Sequence, residues 1–456
     1  MAEQFDVVIA GARCAGSPLA TLLAQRGLRV CVLDRAEFPS DTPSTHAFQA
    51  EGIGVLERLG VLDDLLATGA PPLVRVSFAI EDAEARCRLP VRSTDRVAAL
   101  CIRRPALDAV LVDHARRAGA DVRTSTAVTG LVWEDGRVVG LSAVHDGTTS
   151  DLRAPLVVGA DGRGSTVGRL VGARKYHVTP SERLFYWTYY EDTAAEQDAT
   201  IHLYRRGDDG LLAGPADGGA YLVALGVSTE RRSEFRPDPE AAFEQVVARF
   251  PRITAMLEGA HRADRLHAML KWDGYLRESA GPGWVLVGDA GHFKDPTPGQ
   301  GISDAFRQIE VLGQAIVDGL GSGGLDDKLA AWWRWRDDDA LEKYWFAYDL
   351  GKAGPVTPVV AEMLKRVLVQ PRTRDAFLDV FNHRLRPSKV LTPPRLMAAA
   401  LRLSTRAEPG RRAVWREVRT IVGEDRRRRK LAKHPTFEPV VDAIAADAGE
   451  MVGLAD

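Results

Sequence analysis

Apolar residues run unbroken from Phe5 to Ala10, recur with helical spacing from Gly16 to Arg26 before Gly27, and run again from Leu28 to Leu33, closing on Asp34. Short unbroken runs fit strands covered on both faces, so the chain starts as a βαβ unit of a parallel sheet. Pro105 to Arg117 places Leu107, Val110, Leu111 and Ala115 on one helical face, with Pro near its start and Gly119 past its end. Val128 to Trp133 and Arg137 to Val144 flank Glu134-Asp135-Gly136, which predicts a hairpin, and Leu152 to Gly159 follows as a further strand. Strand patterns at Phe185 to Tyr190, Thr200 to Tyr204, Ala220 to Val227 and Leu266 to Trp272, with a helix over Pro239 to Arg249, predict a second, sheet-rich unit. A strand at Trp284 to Val287 returns to the first unit. After a Gly/Ser-rich joint, Gly319 to Gly324, the chain reads as helices over Leu325 to Leu350, Val359 to Val369, Thr373 to Leu385, Pro394 to Leu403 and Arg411 to Lys430.

Composition adds bounds. A length of 456 residues exceeds one simple core, and 45% hydrophobic with 27% charged residues is ordinary globular material. The 60 basic and 62 acidic residues leave a net charge of −2, which argues against a general nucleic-acid or membrane-surface role and for small-molecule partners. Cys14, Cys31, Cys87 and Cys101 lack metal spacing and read as buried thiols of a reducing compartment; no metal site is expected. Without a basic leader or a long apolar run, the expected location is cytoplasmic, with no stable membrane insertion.

Chemistry enters at Gly11-Ala12-Arg13-Cys14-Ala15-Gly16, which follows a strand and opens a helix. It matches a dinucleotide fingerprint except that Arg13 takes the second glycine position, where backbone normally approaches a pyrophosphate. Asp34 lies 23 residues past Gly11, at the strand end where a carboxylate meets a ribose hydroxyl, and Arg35 adjoins it. Far downstream, Gly288-Asp289-Ala290-Gly291-His292-Phe293-Lys294-Asp295-Pro296 runs into Gly299-Gln300-Gly301. An acid after a short strand can accept hydrogen bonds from a polyol, and a Gly-Gln-Gly helix start offers free N–H groups to an electron-rich ring. A helix start favours the negative charge of a reduced flavin, so the pair of motifs suits FAD better than a nicotinamide. Only one fingerprint is visible, so if NAD(P)H reduces the flavin, as a transient reductant, it must do so without its own Rossmann domain.

A third motif, Gly159-Ala160-Asp161-Gly162-Arg163-Gly164-Ser165, stands between these two. In this order, the three motifs resemble the class A FAD-dependent monooxygenase family, over roughly residues 5 to 320. The resemblance implies an α/β fold: a Rossmann-like FAD-binding domain over 1–78, 100–175 and 275–320, like that of p-hydroxybenzoate hydroxylase. A β-sheet substrate domain over 79–99 and 176–274 would roof the flavin, and 325–456 would form a helical C-terminal region. It further implies that Asp289 binds the ribityl chain and that Pro296 lies near the ring. Gly299, Gln300, Gly301 and Ile302 would meet the pyrimidine edge, and Asp161 would shape the pyrophosphate and NAD(P)H side. Arg104, in an R-x-x-L pattern with Leu107, matches the family arginine that reaches FAD; Arg103 is the less favoured neighbour. His46, in the Ser40 to His46 loop, and Val128, at the hairpin's first strand, complete the cofactor candidates.

No triad, carboxylate pair or metal cluster is visible, so the catalytic side chains stay unassigned. The strand Phe185 to Tyr190 offers Tyr186, Trp187 and Tyr189 as substrate candidates. Alternation puts Phe185, Trp187 and Tyr189 on one face and Tyr186, Thr188 and Tyr190 on the other, and ordinary sheet packing explains such aromatics equally well. Trp332-Trp333-Arg334-Trp335 lacks the Ile-Pro of the related flavin-dependent halogenases and reads as packing, and Arg426 to Lys430 reads as a solvated helix face. The expected activity is an NAD(P)H-driven oxygen insertion, by hydroxylation or epoxidation, into a small apolar or aromatic natural-product-like substrate, with O2 as co-substrate, in a monomer or homodimer. A dehydrogenase or reductase of the geranylgeranyl-reductase type and a non-redox FAD-bound cyclase are the alternatives.

Overall fold

The computed structural model describes residues 3–42, 44, 47–81, 83–194, 196 and 198–439. Strand β1 (Val7–Ala10), helix α1 (Gly16–Gln25) and strand β2 (Val30–Leu33) form the opening βαβ unit, every residue of both strands being buried. Helix α2 (Arg104–Arg117) packs on α1 and delivers β3 (Asp121–Arg123), parallel to β2. On the other side of β1 lies β4 (Leu156–Gly159), also parallel. The chain then leaves for a second sheet, whose penultimate strand β5 (Arg183–Glu191) bears the aromatic run, and returns at β6 (Trp284–Leu286), parallel to β4. Helices α3 (Gly301–Ser322) and α4 (Leu325–Gly351) pack together beside this sheet. The chain continues through α5 (Pro358–Val369), α6 (Pro371–Phe381), α7 (Pro393–Leu403) and α8 (Arg411–Lys433).

Alternate residues of β1 serve opposite cores, which is why its run is unbroken. Val7 and Ile9 pack with α1 and α3, whereas Val8 and Ala10 pack with the four-stranded sheet that covers the other face, the hairpin unit of Thr126–Glu134, Arg137–His145 and Thr148–Arg153 joined by Glu3–Gln4. The second sheet has eight strands, with β5 between Tyr221–Ser228 and the short edge strands His261–Arg262 and His267–Met269; Arg75–Ile80 and Ala83–Arg88 close its far side.

Three expectations need correction. Leu152 to Gly159 is two strands, Thr148–Arg153 in the hairpin unit and β4 in the parallel sheet, because Pro155 has no N–H to continue a ladder. The Gly319 to Gly324 joint is helical through Ser322, and the turn falls on Gly323 and Gly324, whose φ values of +83° and +72° suit glycine. Of Leu266 to Trp272, only His267–Met269 pairs as a strand. Among the described residues, no helix is long and apolar enough to cross a membrane, and no His, Cys, Asp or Glu group is arranged to hold a metal.

Candidate functional site

Backbone crowding explains the glycines of the first motif. A Cβ on Gly11 would overlap the Ala160 carbonyl, and one on Gly16 would overlap the carbonyl of Gly11, so neither position admits a side chain. The N–H of Gly11 bonds Leu33 and that of Ala12 bonds the Asp34 carboxylate at 2.8 Å. Among the described residues, the N–H groups of Arg13, Cys14 and Ala15 have no acceptor at the start of α1, an anion-binding arrangement.

Arg13 occupies the second glycine position with an ordinary negative φ. Its guanidinium turns aside to Asp108 at 2.9 Å and the Ser40 hydroxyl at 2.6 Å, over the ring of Phe38, which leaves the backbone approach open. Asp108, fully buried one helical turn after Arg104, also binds Arg104 at 2.9 Å. This carboxylate joins the first motif to α2, and a sequence reading that stops at Arg104 misses it, although the i, i+4 spacing is a signal. The Cys14 thiol donates to Asp108 at 3.5 Å; burial pushes it up to about 12, so it stays a neutral thiol. All four cysteines are buried and free.

Asp34 is 7% exposed and also accepts the Ala36 N–H, while its own carbonyl accepts the N–H of Thr126. That bond places half-buried Val128 two residues from the Asp34 corner, with Arg35 exposed beside it. His46 lies outside the described residues. Asp161 is used locally: its carboxylate accepts the Ser165 hydroxyl and the Val167 N–H and holds the turn after β4. Burial, the larger influence, raises its pKa despite these bonds.

The second motif abuts the first. Gly288, with φ +61°, leaves room for the methyl of Ala15, which a Cβ would meet at 3.0 Å. The next residue, Asp289, has a carboxylate that no described residue hydrogen-bonds or pairs. Burial raises its pKa to about 6 against the pull of Arg163 and Arg104. A half-buried carboxylate without a described partner, within the influence of two arginines, is an acceptor open to donors.

Pro296 and Gly299 close a turn through a 2.8 Å bond, and Gly299, with φ +64°, opens α3. Among the described residues, the first-turn N–H groups of Gly301 and Ile302 face no acceptor, and Gly301 borders open space; the Ile302 side chain is buried in the core, so only its backbone is available. The Gln300 side chain points inward. It accepts from buried Lys294 at 2.9 Å and donates to the carbonyls of Val380 and Phe381 at 2.9 and 3.1 Å. Lys294 also pairs with buried Asp304 at 2.6 Å. Both residues stand within the quoted stretch or just after it, and only the fold reveals the pair. These features fit FAD: free N–H groups for the pyrophosphate, an orphaned carboxylate for the ribityl hydroxyls, and an open helix start for the ring edge.

The faces of β5 separate the aromatic candidates. Tyr186 stacks on Phe235 at 4.4 Å, under the helices of residues 232–256, on the opposite face from Trp187 and Tyr189. Trp187 and Tyr189 occupy the other face with Leu73, Ala99 and Cys101. Trp187 stacks on His267 at 5.3 Å, and His267 reaches both Asp264 and Asp41 of the loop after β2. Arg103, paired with Asp217 at 3.0 Å, lies over Tyr189. Trp332, Trp333 and Arg336 are packing residues: the indoles donate to Gln308 and Tyr176, and the guanidinium binds the Gly291 and Arg277 carbonyls.

Residues 4–332 match the family model of the FAD binding domain. The chain is 25% identical over 349 residues to a digeranylgeranylglycerophospholipid reductase of Methanosarcina mazei, covering 71% of this chain and 77% of that one. It is 29% identical over 334 residues to a rifampicin monooxygenase of Rhodococcus hoagii, covering 71% and 66% respectively. A flavin-dependent brominase structure superposes with a TM-score of 0.73 at 18% identity, over 88% of this chain and 98% of its own, which speaks for the α/β fold.

Proposed function

The chain belongs to the FAD binding domain family and is an FAD-dependent oxidoreductase; from that premise we propose an NAD(P)H-driven monooxygenase that hydroxylates or epoxidises a small apolar or aromatic molecule. The observation that carries this reading is the Trp187 and Tyr189 face, an apolar, aromatic lining turned toward the first domain. Bound FAD supplies hydride acceptance from NAD(P)H and delivery of reducing equivalents to O2.

The chain's own residues do the rest. Free N–H groups at Arg13, Cys14 and Ala15 neutralise phosphate charge, and the α3 start favours the anionic form of a reduced ring. Asp289 orients the ribityl hydroxyls, and the Gln300 side chain locks the turn that presents the Gly301 and Ile302 N–H groups. A reductase acting on an isoprenoid chain is the second reading, favoured by the Methanosarcina mazei relative.

Anaerobic addition of NADPH or NADH, followed at the flavin absorbance, and then admission of air with candidate substrates tests the proposal. Nicotinamide-dependent bleaching with oxygen-dependent product formation is expected. Product formation that proceeds without oxygen would replace it with the reductase reading.

A further inference from the structure

The whole-chain balance of −2 conceals a segregation of charge. Residues 352–439 carry 21 Lys and Arg against 8 Asp and Glu, whereas residues 1–351 carry 39 against 50 and residues 440–456 none against 4. The last helices form a cationic cap on an anionic body. Part of that charge is internal: Arg384 binds Glu51 and Asp95, and Arg428 binds Asp349. Lys352, Arg366, Arg374, Arg386, Arg406 and Arg429 are also paired with carboxylates, and much of the remainder faces solvent. Lys365, Arg372, Arg402, Arg411, Arg412 and Arg416 are exposed, with no described carboxylate in ion-pair range. Unpaired like charges held together cost stability through self-repulsion, so folding alone does not explain them.

The same helices carry exposed apolar residues. Val369, Met397 and Leu401 are 68%, 38% and 57% exposed, and among the described residues they are three of the five large hydrophobics so exposed. Met397 and Leu401 stand one turn apart on α7. The opposite side of that helix, Leu396, Ala399, Ala400 and Leu403, packs against α5 and α8. Val369 likewise follows Lys365 by one turn on α5. Both helices therefore present apolar groups and cations outward.

We propose that this face of α5, α7 and the first half of α8 docks the protein on an anionic membrane surface. The arginines meet lipid phosphates, while Met397 and Leu401 enter the headgroup boundary. Charge complementarity selects an anionic partner, and the apolar residues select a bilayer over a nucleic acid, whose phosphate backbone gives Met and Leu nothing to bury against. Docking is peripheral and does not depend on the redox reading.

Flotation of the FAD-loaded protein with vesicles tests this. Binding is expected to phosphatidylcholine vesicles containing about 30% phosphatidylglycerol and not to phosphatidylcholine alone, and it should vanish near ~1 M salt, where screening is short-ranged. The triple variant Arg402→Glu, Arg412→Glu, Arg416→Glu should bind at least about a hundredfold more weakly, from roughly fivefold per surface cation. Met397→Ser with Leu401→Ser should weaken binding while keeping its salt dependence. Flavin content and circular dichroism equal to the parent's confirm that both variants fold. Equal binding to neutral vesicles, or none to either, would overturn the proposal. So would tight binding of a DNA duplex that the Met397→Ser, Leu401→Ser variant retains, or a dimer that the triple variant dissolves while vesicles go unbound.

Discussion

Replacing Lys294 by methionine is expected to destabilise the protein by about 3–5 kcal/mol, the cost of breaking a buried ion pair from one side. Lys294 is 4% exposed and Asp304 6% exposed, so neither charge has water to fall back on. Methionine fills the volume of the lysine stem, which keeps the cavity contribution small and isolates the charge. Asp304 would then keep only His383, 3.5 Å from its other oxygen. Burial holds His383 far below its ordinary range, with Lys294 the foremost of the charges that add to this, so removing the ammonium should let the imidazole charge more readily. A depressed histidine costs stability as pH falls below its ordinary value, and easing that depression lessens the cost, so the variant's deficit should be greater at alkaline than at mildly acidic pH. With about 2.1 cal/mol/K of unfolding entropy per residue, a 456-residue chain should melt about 3–5 °C lower. Lys294→Met combined with Asp304→Leu removes both charges and should recover most of the loss. The assay is thermal unfolding followed by circular dichroism across pH. A single variant that melts with the parent, or a double variant that loses the sum of both single losses, would refute the reasoning.

Asp289→Ala should purify without flavin, and full flavin occupancy in that variant would remove Asp289 from the ribityl site. Arg13→Gly restores the fingerprint glycine and leaves Asp108 paired to Arg104, so flavin titration should show affinity within about tenfold of the parent, with a stability loss of about 1–3 kcal/mol. Burial pushes the Asp295 carboxyl up to about 6, above its ordinary 3.8. The folded state therefore holds that proton more tightly, and stability should fall as pH rises from about 4 to 6; Asp295→Asn, which keeps the Oδ1 acceptor for Thr297, should flatten that slope in denaturant titrations. Tyr186→Ala should cost about 3–5 kcal/mol of stability as a large core truncation, and Trp187→Ala, equally buried, should cost a similar amount and in addition raise substrate KM.

The glycine-rich motifs were legible because their reasons are local. Gly11 and Gly16 must lack side chains for the strand to meet the helix, and that constraint is written at a fixed spacing. The unbroken run of β1 was readable for the same kind of reason, since each residue of the strand has a core to fill on its own side. The faces of β5 were not readable. Alternation divides Tyr186 from Trp187 in any strand, but which face meets the first domain depends on the helices of residues 232–256 covering the other one.

The C-terminal helices were the least legible part, and they are built into the site rather than added beside it. Gln300 stands within the motif as a candidate for the flavin edge, yet its amide donates to the carbonyls that end α6. The end of α4 is equally close, since Gly351 approaches Asp295 so tightly that a Cβ there would overlap its carboxylate. From the second sheet, Arg183 and Arg205 donate to the carbonyls of Leu350, Gly351, Lys352 and Gly354. None of these partners has a sequence signature, because a backbone carbonyl accepts the same bond whatever its side chain. Because α6 fixes the Gln300 side chain, a strain imposed on the C-terminal helices reaches the start of α3 through two hydrogen bonds. Truncation before α6 should therefore weaken flavin binding even though the family match ends at residue 332. A truncated chain that folds and retains flavin at parental affinity would show that the turn holds its shape without that brace.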